Sequence, residues 1–212
     1  FVIEAPCDTL KWQQEINDEN AKSFGAIYDA SSFNGEKLVN IDVRNCSMTD
    51  KACIAFLQHF NGVNLNYLDL DTNKFGDSIV DHLIDMLTTC YVRDLRLEKT
   101  TLTDSGLTKL IRFFFSSTDR CPKELSFTII SEDKDQLAVH QTFIELAKLI
   151  RKVPIIESFC LDGAITARDI KLILDEMPGH SEVRELNFDT DLNSEYSSPD
   201  PPIDEAVTAT FI

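Results

Sequence analysis

The sequence predicts an α/β solenoid, with a curved parallel sheet on the concave side and helices on the convex side. Three observations predict it. A short apolar phrase (apolar, two residues, apolar, one residue, apolar) recurs at starts 38, 65, 92, 122, 156 and 183. A small residue and an aspartate follow the early copies, as at a helix start. A helical apolar pattern then follows. The intervals are 27, 27, 30, 34 and 27 residues, and 17 of the 18 key places are apolar. Period-two alternation in each phrase reads as a half-buried strand, and the following period of 3.6 as an amphipathic helix. Recurrence at this spacing is the mark of stacked units that cannot bury their apolar faces alone.

Residues 1–37 are expected to form an N-terminal helical cap or flank, with Trp12, Ile16, Phe24, Ile27 and Tyr28 covering the open end of the core. The array runs from 38 to 191, in about six units of 27–34 residues. Its first strand is carried by Leu38, Ile41 and Val43, and Met48-Thr49-Asp50 leads into a helix with Ala52, Phe56, Leu57 and Phe60 on one face. The second pairs Leu65, Leu68 and Leu70 with a helix carrying Leu83, Met86 and Leu87, after Phe75-Gly76-Asp77. The third pairs Val92, Leu95 and Leu97 with Leu107, Leu110, Ile111 and Phe114, after Leu102-Thr103-Asp104. Phe113-Phe114-Phe115 cannot all face one core, so one ring is expected at a helix flank. The fourth unit begins at Pro122-Leu125-Phe127 and carries a polar insertion, Ser131-Glu132-Asp133-Lys134-Asp135-Gln136. Ile156-Phe159-Leu161 and Val183-Leu186-Phe188 complete the series. Residues 192–212 are acidic and contain prolines, and read as a flexible C-terminal segment in which Ala206 to Ile212 is apolar enough to dock.

The pieces LNYLDLDTNKFGD, VRDLRLEKTTLTDSG and LVNIDVRNCSMTD resemble the leucine-rich repeat family, in its long ribonuclease-inhibitor-like form. In that family the ninth place of a unit is Asn or Cys, bonded to loop backbone. Cys46 and Asn73 match, Thr100 is tolerated, and Ile130, Ala164 and Asp191 depart. The resemblance implies a protein-interaction module.

Composition narrows the function. Twenty basic residues against 36 acidic ones leave a net charge of −16, so binding nucleic acid or anionic lipid through a general basic face is disfavoured. No apolar run reaches the ~20 residues of a membrane helix. Phe1 to Leu10 carries no signal-peptide pattern, so an intracellular chain, cytoplasmic or nuclear, is expected, and a first residue other than Met is expected of a fragment or processed form. The six cysteines include no CxxC pair and read as buried thiols. The four histidines share no metal-ligand spacing and read as helix-flank residues. Catalytic motifs are absent, so the expectation is no enzyme, no cofactor and no metal.

Alternation along the strands assigns the outward places. The fifth place of each unit runs Asp42, Asp69, Arg96, Ser126, Cys160, Asn187, and the seventh Arg44, Asp71, Glu98, Thr128, Asp162, Asp189. The expected protein-binding surface is therefore Asp42, Arg44, Tyr67, Asp69, Asp71, Arg96, Glu98, Asp162 and Asp189. It is net acidic and suited to a partner with a basic surface, with Tyr67 as its aromatic anchor. An adaptor or substrate-recognition subunit fits this description. The alternatives are an assembly subunit docked permanently in a larger complex, or a GTPase-activating or actin-capping protein of the same repeat type.

Overall fold

A computed structural model describes residues 2–4, 9–12, 14–23, 40–60, 62–130, 140–153, 156–163, 165–176, 185–189 and 207–210. Strands β1 (Val2–Glu4) and β2 (Thr9–Lys11) come first, then β3 (Asn40–Asp42) and helix α1 (Asp50–Leu57). They are followed by β4 (Asn64–Asp69), α2 (Val80–Thr89), β5 (Tyr91–Leu97), α3 (Asp104–Ser116), β6 (Glu124–Ile129) and α4 (Gln141–Lys152). The chain continues through β7 (Ser158–Gly163), α5 (Ala167–Glu176), β8 (Glu185–Asp189) and β9 (Val207–Thr210). All nine strands lie in one open sheet, in sequence order. β2 to β8 are parallel, and β1 and β9 join antiparallel at the two edges.

The register follows the apolar phrase. Ile41, Leu68, Leu95, Leu125, Phe159 and Leu186 lie side by side across six strands. All six are buried, as are Val43, Leu70, Leu97, Phe127 and Leu161. They meet Phe56, Leu83, Leu87, Leu107, Leu110, Phe114, Phe143 and Leu146 from the helices in one continuous core. Each such side chain contributes about 1.5–3 kcal/mol when fully buried. In the Phe113–Phe115 run, Phe114 is fully buried while Phe113 and Phe115 are partly buried against the same core.

The loop after each early strand turns through a left-handed residue: Asn45 (φ 54°), Thr72 (φ 56°) and Lys99 (φ 52°). The turn is held by side chains. Asn73 Oδ1 accepts from Cys46 N (3.1 Å) and Met48 N (3.0 Å), while its amide donates to Val43 O (3.0 Å) and Leu70 O (2.8 Å). Thr100 Oγ1 donates to Leu97 O, and Cys46 Sγ to Arg44 O.

The aspartates expected as helix caps do a different job. Thr49 and Thr103 cap α1 and α3, accepting from Ala52 N and Ser105 N. Asp50 and Asp104 sit one residue later, inside the first turn, where the helix dipole favours a carboxylate. From there each reaches the loop before the following helix, or that helix's first turn. Asp50 accepts from Gly76 N, Asp77 from Thr103 N and Oγ1, and Asp104 from Gln141 N and Thr142 N. Gly106 leaves room for this, because a Cβ there would overlap the Asp77 carboxylate. His140, expected at a solvated helix flank, is half-buried instead. Its Nδ1 lies 2.9 Å from Oδ2 of the fully buried Asp169, which also accepts from Thr166 Oγ1 and His140 N.

At both ends only part of the expected segment is described. Within residues 1–37 the described elements are the β1–β2 hairpin and one short 3₁₀ turn, Ala21–Ser23. Trp12 and Ile16 are buried, and their backbone N–H groups donate to Asp42 O and Cys46 O respectively. An exposed strand edge at β3 is a pairing template, and β2 satisfies it. Phe24, Ile27, Tyr28 and the 131–136 insertion lie outside the described residues. Within the Ala206–Ile212 stretch, Val207–Thr210 pairs with β8 as β9, and 190–206 lies outside the described residues.

Candidate functional site

The sheet face turned away from the helices carries the expected residues. Pairing places Asn40, Tyr67, Asp94, Glu124 and Ser158 in one row, and Asp42, Asp69, Arg96, Ser126 and Cys160 in the next. Two residues further along lie Arg44, Asp71, Glu98, Thr128 and Asp162. Asp189 ends β8, and its side chain lies outside the described residues.

Their depths differ from the expected solvated row. Asp69 is fully buried, Asp42 is 4% exposed and Asp162 is 9% exposed. Arg44 lies over the first two. Its Nε is 3.0 Å from Asp42 Oδ1 and 3.0 Å from Asp69 Oδ2, and its Nη2 is 3.1 Å from Asp42 Oδ2. Tyr67 donates its hydroxyl to Asp69 Oδ2 at 2.5 Å, and Asp71 N donates to Asp69 Oδ1. Lys11 completes the cluster from β2, 3.2 Å from Asp42. Arg96 stacks 4.8 Å over the Tyr67 ring and pairs with Asp94 at 3.0 Å. The carboxylates are a buried under-layer, while Arg44, Tyr67 and Arg96 form the outer surface.

The ionisation of the cluster follows. Burial opposes the charge on Asp42, but hydrogen bonds from Arg44 and Lys11 hold its carboxyl below the usual range. Hydrogen bonds to Asp42, against some burial, keep the Arg44 guanidinium firmly protonated. Burial, then the bond to Asp69, pushes the Tyr67 phenol up. Arg44 and Arg96 are thereby presented as fixed donors on either side of a fixed aromatic ring.

A second part of the face is different. The ion pairs of this surface end on Asp42, Asp69, Asp94, Glu124 and Glu157. Asp71, Glu98 and Asp162, at the C-terminal ends of their strands, are not among them. Asp71 accepts from Glu98 N, and burial with the nearby Asp69 charge pushes its carboxyl up to about 7. Asp162 accepts from Thr128 Oγ1 at 3.1 Å. Beside this strip, Ser126 Oγ is buried without a hydrogen-bond partner among the described residues.

Lys11 and Asp94 belong to the site but were not among the residues singled out from the sequence. Asp94 was legible as an outward place of β5. Lys11 was not, because Thr9–Lys11 lacks the apolar phrase. Among the described residues no group of three or more His, Cys, Asp or Glu side chains is arranged to hold a metal ion, and no helix is long and apolar enough to cross a membrane. The five described cysteines are free thiols, four of them buried.

No protein-family model matches this sequence, and no curated protein matches it.

Proposed function

We propose that this chain is a leucine-rich repeat array of the ribonuclease-inhibitor-like form, serving as a non-catalytic protein-interaction module, adaptor or recognition subunit. Support for the array comes from sheet offsets equal to the sequence intervals, from left-handed residues recurring at 45, 72 and 99, and from the loop bonds of Asn73. A rigid curved array of this kind presents its sheet as an extended binding surface.

The observation that carries the functional reading is the two-part face. Arg44 and Tyr67 are held by the buried Asp42 and Asp69, and Arg96 by Asp94 and the Tyr67 ring, so little side-chain entropy remains to be lost on binding. Tyrosine and arginine are the residue types that dominate interface energetics. Beside them, Glu98 and Asp162, which end no ion pair among the described residues, favour a basic partner surface and speed its encounter, and a partner cation would draw the proton from Asp71. The expected acidic recognition is thereby narrowed to the C-terminal ends of β4, β5 and β7.

The test is affinity capture with the wild-type chain and with Glu98→Lys combined with Asp71→Asn, a pair that keeps the hydrogen bond to Glu98 N. Partner recovered by wild type should be lost or reduced about tenfold by the variant, and Asp85→Lys on the exposed side of α2 should leave capture unchanged. Equal capture by all three proteins places recognition on another surface.

A further inference from the structure

A second surface lies on the helix side of the sheet. An open groove of about 320 Å³ is lined by Phe115 of α3 and by Lys148, Arg151 and Lys152 of α4. Its floor is almost wholly apolar. Lys152 Nζ sits 4.1 Å over the Phe115 ring and donates to Phe115 O at 2.7 Å, so the ring and the cation are fixed together. Arg112, one turn before Phe115, adds a fourth cation nearby, sharing Glu145 with the groove residue Lys148, and its side chain is 58% exposed. Glu145 lies largely buried beneath Arg112 and Lys148, at 3.0 and 3.3 Å, leaving their cations at the surface.

Four of the chain's twenty lysines and arginines thus converge here, in a protein of net charge −16. Offsetting the α4 dipole accounts for Arg151 and Lys152 in the last turn. It does not account for Arg112 on another helix, or for an apolar floor beneath the cations. Cations ringing an aromatic floor complement carboxylates flanking an apolar side chain. Screening over about 8 Å at physiological salt lets a short ligand meet this local field. A long polyanion instead meets the repulsion of the whole chain.

We propose that this groove docks a short acidic segment of a partner protein, seating one apolar or aromatic side chain on Phe115 between carboxylates held by Arg112, Lys148, Arg151 and Lys152. It is separate from the open sheet face and goes beyond the function proposed for it.

The experiment is a fluorescence anisotropy titration of the full chain with a labelled Asp-Asp-Glu-Phe-Glu-Asp-Asp peptide. Saturable binding with a Kd of about 10–100 μM at low salt, weakening as salt rises, is expected. Lys148→Glu with Lys152→Glu should weaken it at least about tenfold, and replacing the peptide Phe by Ala should weaken it severalfold. Lys148→Gln, a milder change at an exposed rim position, should give a smaller loss in the same direction. Glu98→Lys on the sheet face should leave peptide binding intact, so this proposal and the sheet-face reading can fail separately. No saturable binding, indifference to both lysine variants, or equal affinity for the Ala peptide overturns the proposal. So does tighter binding of an oligothymidylate of equal charge. Self-association of the chain abolished by the same variants would assign the groove to a second copy and also overturns it.

Discussion

Asn73→Ala removes the side chain that ties two successive loops together. Asn73 is 3% exposed, and the N–H groups it accepts belong to Cys46 and Met48, both buried. Truncation leaves these two donors without a partner, at about 1–3 kcal/mol each. The carbonyls of Val43 and Leu70 lose a donor as well, but each is an acceptor with two lone pairs and suffers less. The expected total is about 3–5 kcal/mol, a large share of the ~5–15 kcal/mol typical of a folded domain. Equilibrium urea unfolding followed by circular dichroism reads it as a lowered midpoint at unchanged slope. Thr100→Val is the internal comparison, since Thr100 makes a single bond to Leu97 O, and should cost about 0.5–1.5 kcal/mol. A loss below about 1 kcal/mol for Asn73→Ala, or one no larger than for Thr100→Val, refutes the reasoning that side chains in these loops hold the units in register.

Arg44→Met strips the cation from the buried Asp69 and should destabilise by about 2–3 kcal/mol, less than a fully buried pair because the arginine side chain is 49% exposed. Adding Asp69→Asn should recover part of that loss, which a double-mutant cycle measures, and strict additivity would contradict the pairing. For Asp71, the folded chain holds its proton up to about pH 7, whereas the unfolded chain releases it near 3.8. Its stabilisation is complete below pH 4 and is lost as pH rises to 7. Asp71→Asn should therefore gain on wild type by about 1–2 kcal/mol between pH 4 and 8 after solvent screening, and a pH-independent difference would contradict the assignment. The hydrogen bond to Asp169 raises the His140 imidazole above its ordinary 6.5, so that contribution is complete below pH 6.5 and fades as pH rises through the folded value. Burial opposes ionisation of Asp169, but bonds from His140 and Thr166 hold its carboxyl low, and its contribution is lost as pH falls through the folded value. The stability gap between wild type and His140→Gln should thus be wide below pH 6.5 and narrow as pH rises through the folded value, as paired urea titrations can show.

Much of the sheet was legible because its information is local. Leu68 and Leu70 alternate with Asp69, and the same spacing in Val92-Leu95-Leu97 fixes both the inward face and the 27-residue register. The helix faces at Phe56, Leu83 and Leu110 follow from the 3.6 period. Depth on the open face was not legible. Alternation assigns Asp69 to that face, but only the neighbouring strands bring Arg44, Tyr67 and Asp71 N over its carboxylate. A run of acidic letters was therefore read as an acidic surface, when part of it is an anionic foundation under arginines. Lys11 escaped notice because three residues of strand, Thr9 to Lys11, carry too short a pattern, and pairing with the edge of β3 makes them a strand. The aspartates at 50, 77 and 104 were recognisable as helix-start residues, but their bonds reach across 26 to 38 positions. No local rule contains such partners.

The most direct test of the open face as a protein-recognition surface is site-specific photocrosslinking. A benzophenone amino acid is placed at Tyr67 in one chain and at Asp85, on the exposed side of α2, in another. A discrete partner crosslinked from position 67 and not from 85, and lost when Glu98→Lys is added, is the predicted result. Equal crosslinking from both positions, or a partner captured from 85 alone, contradicts it.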